Sequence, residues 1–90
     1  MIKRLLVRLT GEVQGIGLRY SARRRAQELG LSGFIRNEPD GSVYLEAEGK
    51  YGDILSFLKW LGVESPAGVV GLNDLVVSDE LKNFRGFSVE

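Results

Sequence analysis

The sequence predicts an α+β fold: a ferredoxin-like α/β sandwich, with an antiparallel sheet of four to five strands and two helices on one face. Three observations carry that expectation. Apolar residues step by two near the start, at Leu5, Val7 and Leu9; the spacing then lengthens to helical steps at Ala22, Ala26 and Leu29; and the strand-then-helix pattern returns after a Pro-Asp-Gly turn. The resulting order is βαββαβ with a short strand at the end.

Each element follows from its own residues. Leu5, Val7 and Leu9 alternate with Leu6, Arg8 and Thr10, which suits a strand with one face on a core and Gly11 at its end. From Leu18 onward the stripe of Ala22, Ala26 and Leu29 marks a helix, and Gly30 stands where a left-handed cap belongs. Residues 34–36 and 42–48 flank Glu38-Pro39-Asp40-Gly41, whose chemistry folds them into a hairpin. A second helix is expected over 53–61, with Ile54, Phe57, Leu58 and Leu61 on one face, Asp53 near its positive end and Gly62 after it. Pro66 and Gly68 mark a surface loop. Leu72, Leu75 and Val77 read as a further strand, and the offset between Leu72 and Leu75 predicts a bulge. Phe87, Ser88 and Val89 read as a short terminal edge strand.

Composition narrows the chemistry. Ninety residues make one domain, 1–90, with a modest core, so any site must be compact. Cysteine and histidine are both absent, which excludes disulfides, thiolate nucleophiles, the usual zinc sites and every imidazole acid or base. Formal net charge is zero, giving no global pull toward nucleic acid or anionic lipid. Arg8 and Thr10 interrupt the apolar run after Lys3 and Arg4 well short of a signal-peptide core, and no segment reaches membrane-spanning length. A cytoplasmic protein without a membrane partner is the expectation.

The stretch GEVQGIGLRY, residues 11–20, places three glycines between the first strand and the first helix and follows them with Arg19. Such a loop lets main-chain N–H groups converge on an anion. Two known phosphate loops do not fit it. A Walker loop needs a glycine where Ile16 stands and then Lys-Ser or Lys-Thr, while a dinucleotide fingerprint starting at Gly15 needs a third glycine where Tyr20 stands. Arg19 is informative by position, since a cation at a helix start opposes the helix dipole unless an anion sits in front of it.

Taken whole, the stretch resembles the signature of the acylphosphatase family, a Gly-x-Val-Gln-Gly-Val-x-Phe/Tyr-Arg pattern. Here it reads Gly11-Glu12-Val13-Gln14-Gly15-Ile16-Gly17-Leu18-Arg19, departing at Ile16 and at Leu18, the latter beneath the loop in place of the usual aromatic. A second family motif, an asparagine opening a turn that ends Asp-Gly, is matched by Asn37 through Asp40-Gly41. AQELGLSG from Ala26, Ala47-Glu48-Gly49 and the run from Leu72 to Val77 extend the resemblance over nearly the whole chain. It implies hydrolysis of acyl phosphates without metal or other cofactor. Inorganic phosphate would be product and inhibitor, and the chain a monomer.

In that reading Gln14, Gly15, Ile16, Gly17, Leu18 and Arg19 form the phosphate cradle. Arg19 and Asn37 are the catalytic pair, Asn37 positioning the attacking water. The alternative is a non-catalytic anion-binding module on the same fold; the presence of Arg19 and Asn37, and a chain that ends at the natural limit of the domain, favour the enzyme. Nucleic-acid binding through Arg23, Arg24 and Arg25 is not expected. Helical rotation spreads the three, and the sheet lacks the aromatic RNP1 string of RNA-binding sandwiches. Trp60, Tyr44 and Tyr51 are read as packing or surface aromatics.

Overall fold

The computed structural model describes residues 1–90. Five strands, β1 (Ile2–Thr10), β2 (Ser32–Asn37), β3 (Val43–Lys50), β4 (Gly71–Ser78) and β5 (Phe87–Val89), form one sheet in the order β4-β1-β3-β2-β5. Helices α1 (Leu18–Glu28) and α2 (Tyr51–Lys59) pack on one face of it. The period-two pattern of β1 has the expected result: Leu5, Val7 and Leu9 are fully buried and meet Ala22 and Ala26 of α1 and Ile54 and Phe57 of α2 in one core. No helix is long and apolar enough to cross a membrane.

The end of α1 matches its sequence signal. Leu31 N–H donates to Ala26 O and Gly30 N–H to Gln27 O, the paired bonds of a Schellman cap. The predicted bulge in β4 is present as well. Pairing shifts register opposite the segment from Leu6 to Arg8, and Asp74 adopts φ 52° there, its carboxylate 3.5 Å from Arg8.

Two expectations need correction. The second helix begins earlier than 53, at Tyr51, and Gly62 does not follow it as a cap: the α-helix runs into a π-helical turn, Trp60–Glu64, that contains Gly62. Ser65 then turns extended, as the residue before Pro66 is sterically obliged to do. The sheet, expected to be antiparallel, is mixed, because β5 pairs parallel to β2. The cause is a strap. Residues 79–86 cross one end of the sheet, where Arg4 Nε donates to Glu80 O and the buried Glu48 carboxylate accepts from the N–H groups of Lys82 and Phe84. A chain that leaves and re-enters by the same end must run opposite to β4, hence in the direction of β2.

The face away from the helices carries a cross-strand row, Arg8–Tyr44–Arg36, with both guanidinium carbons over the Tyr44 ring at 5.7 and 5.1 Å. Tyr44 donates to Glu46 at 2.7 Å, and Glu46 also takes a 2.8 Å pair from Arg4. Burial first, then the bond to Glu46 and its charge, push the Tyr44 pKa from 10.0 up to about 12. The folded state therefore favours the protonated phenol. Its contribution to stability is complete below the ordinary pKa of 10.0 and is lost as pH rises through about 12. Tyr44→Phe is expected to remove that alkaline loss, measured as denaturation midpoints against pH. Parallel declines in the two proteins would contradict it.

Candidate functional site

Strands β1 and β2 are both antiparallel to β3, so their carboxyl ends lie at the same end of the sheet. Leu9 and Asn37 flank Val43 in a single cross-strand row, two strand spacings apart, or about 9–10 Å. The loop 11–17 leaves β1 there and enters α1. Its glycines supply the shape: Gly15 has φ 78° and Gly17, the residue capping α1, has φ 76°. A Cβ built on either would meet no heavy atom within 4 Å, so the space before them is open and a side chain would be costly through backbone strain alone. Val13, 2% exposed, anchors the loop in the core.

Leu18, one of the two departures from the family pattern, is 1% exposed and packs in the core beneath the loop; the other, Ile16, is 41% exposed at its tip. A small cavity of about 80 Å³ opens between loop and hairpin, lined by Val13, Gly15, Gly17, Leu18, Arg19, Tyr20 and Asn37. Of the residues expected in the site, Gly15, Gly17, Leu18, Arg19 and Asn37 border this cavity together. Ile16 and Gln14 do not border it. Val13 and Tyr20 line it without having been singled out in the sequence.

Arg19 pairs with no Asp or Glu side chain. Its Nη1 donates instead to the main-chain oxygen of Glu90 at 2.8 Å, and its guanidinium carbon lies 5.8 Å from the centre of the Tyr20 ring. Glu90 reaches this point because β5 is parallel to β2: Glu90 N–H donates to Ile35 O, near the same end of the sheet as Asn37. An antiparallel β5 would have ended at the far side. Glu90 thus orients the Arg19 guanidinium.

Gln14 has a structural task of its own. Its side-chain Nε2 donates to Glu38 O at 2.9 Å and to Ser42 O at 2.8 Å, tying the glycine loop to the turn that follows Asn37. That turn is closed by Glu38 N–H to Ser42 O and Gly41 N–H to Glu38 O, and Asp40 accepts from the Ser42 hydroxyl and N–H. These bonds, the hydroxyl's first, hold the Asp40 carboxyl below its usual range. Asp40 is therefore a fixed turn carboxylate, ionised at neutral pH.

The chain matches the acylphosphatase family model over residues 5–89. It belongs to the acylphosphatase family. An acylphosphatase of Paenarthrobacter aurescens (strain TC1) is 46% identical over 86 residues, covering 96% of this chain and 92% of that protein. The acylphosphatase structure from Coxiella burnetii superposes with a TM-score of 0.81 at 32% identity, covering 99% of this chain and 93% of the other. The Bacillus subtilis family member gives a TM-score of 0.82 at 28% identity, with 100% and 99% of the two chains covered. Family likeness of this extent agrees with the sheet order, the glycine loop and the turn described above.

Proposed function

We propose that this single-domain chain, 1–90, hydrolyses acyl phosphates to a carboxylate and inorganic phosphate, with Arg19 and the loop N–H groups holding the phosphoryl group and Asn37 positioning the water. The observation that carries the reading is that Arg19 and Asn37, from two separate motifs, border one cavity of about 80 Å³. That volume is well under the roughly 300 Å³ at which pockets for whole small molecules begin. It suits a phosphoryl group, with the acyl part outside.

The backbone donors of Gln14 to Leu18, the positive end of α1 and Arg19 would share the phosphoryl charge and hold it more tightly as charge spreads over the equatorial oxygens. Water attacks phosphorus, the bond to the acyl oxygen breaks, and its electron pair leaves with the carboxylate. No side chain has to protonate that leaving group, since a carboxylic acid has a pKa of about 4. An amide cannot act as a base at neutral pH, so Asn37 orients the water and the product phosphate can carry its proton. A non-catalytic module has no observation in its favour, because Arg19 and Asn37 border the same cavity. The same reading makes inorganic phosphate both product and inhibitor and takes the chain as a monomer working in the cytoplasm.

Turnover of benzoyl phosphate in the presence of EDTA tests this reading. No group of carboxylates converges to hold a metal ion, so activity is expected to survive chelation, with a turnover number nearly flat from about pH 6 to 8. Asp40, held below its usual range, would already be ionised throughout that window. Loss on chelation, or a bell-shaped profile centred near neutrality, would require a different mechanism.

Gln14→Leu removes the tie between loop and turn while leaving the loop's own N–H groups in place. We expect a loss of about 1–2 kcal/mol of stability and a fall in turnover number of roughly tenfold to 10²-fold, with inhibition by phosphate largely kept. Unchanged turnover would mean that the two halves of the site hold their positions independently.

A further inference from the structure

The arginine run of α1 and the single tryptophan, neither of which the phosphoryl site uses, meet in the largest cavity of the molecule, about 420 Å³. Helix α1 contributes Ser21, Arg24, Arg25 and Glu28; the π-helical turn and the residues after it contribute Trp60, Glu64 and Ser65. Ser21 lies about 200° around α1 from Arg19, so this groove runs on the opposite flank of the helix from the phosphoryl cavity.

Three features give the groove a chemical preference. Arg24 enters no ion pair, and its guanidinium is free to bind an anion, whereas Arg25 already gives Nη1 to Glu28 at 3.3 Å. The Trp60 ring is held parallel to Phe57, at 8° and 6.2 Å between centroids, and offers a flat apolar wall. It is carried by a π-helical turn, a departure from α-geometry that occurs frequently at functional sites.

We propose that this groove is a second ligand site, for a small planar monocarboxylate of aromatic type: the carboxylate on Arg24, the ring against Trp60. One guanidinium matches a single carboxylate. Glu28 and Glu64 repel phosphate and nucleotides, which bring more charge than the groove can balance. The volume falls in the range of ordinary small-molecule pockets.

Trp60 is the only tryptophan, so its emission reports on the groove directly. Titration of the full chain with benzoate is expected to give a saturable change at about millimolar concentration, as befits one charge-assisted contact in an open groove. Arg24→Ala should weaken it at least tenfold. It should not alter acyl phosphate turnover, and Arg19→Ala should keep the benzoate response. Circular dichroism verifies that each variant is folded. The proposal is overturned if no saturable change occurs into the tens of millimolar, if Arg24→Ala keeps the full response, if Arg19→Ala abolishes it, or if inorganic phosphate reproduces it.

Discussion

Arg19→Ala is expected to lower acyl phosphate turnover by at least ~10³-fold and to abolish inhibition by inorganic phosphate with it. The two losses should go together because one guanidinium would serve both the bound and the reacting phosphoryl group, and no other arginine or lysine borders the cavity. The fold should persist. Arg19 pairs with no Asp or Glu side chain, and its one bond, to Glu90 O, lies at the surface. Circular dichroism, rate and phosphate inhibition measured on one preparation separate the outcomes. A folded variant that keeps both activity and phosphate inhibition would remove Arg19 from the site.

Asn37→Ala is expected to lower the turnover number by on the order of 10²-fold or more while phosphate affinity stays close to that of the parent. The asymmetry follows from placement. The cradle N–H groups and Arg19 belong to the loop and α1, whereas Asn37 comes from the end of β2, across Val43 from the root of the loop. Its side chain makes no hydrogen bond within the protein that would tie it to the loop, so truncation leaves the cradle unaltered. Equal losses of phosphate affinity and turnover would contradict a water-positioning role and make Asn37 a phosphate ligand.

What the sequence disclosed and what it withheld divide along the range of the interactions. The glycine loop, the Schellman end of α1, the Pro-Asp-Gly turn and the bulge in β4 are written within a few residues each, and all were readable. Arg19 and Asn37 were readable by motif, although 18 positions separate them. The direction of β5 was not, because it depends on the strap crossing the end of the sheet, held by Arg4 and Glu48 from distant strands. Glu90 beside Arg19 is a consequence of that direction. The Gln14 tie spans 24 and 28 positions to its two acceptors, and nothing local distinguishes a glutamine that braces a turn from one that offers only its backbone. The π-helical turn replaced an expected glycine cap for a similar reason: the glycine signal at Gly62 is local, whereas Leu61, fully buried, and Val70 N–H, bonded to Gly62 O, fix the path of the chain.

The central claim is that the site acts on phosphorus, gripping the phosphoryl group and delivering water to it, and does not attack the acyl carbon. The most direct measurement is hydrolysis of benzoyl phosphate in water enriched in heavy oxygen, with mass analysis of both products after subtraction of the spontaneous reaction. The account predicts one labelled oxygen in inorganic phosphate and none above background in benzoate. Label in the benzoate would place the attack at the carbonyl carbon and contradict it.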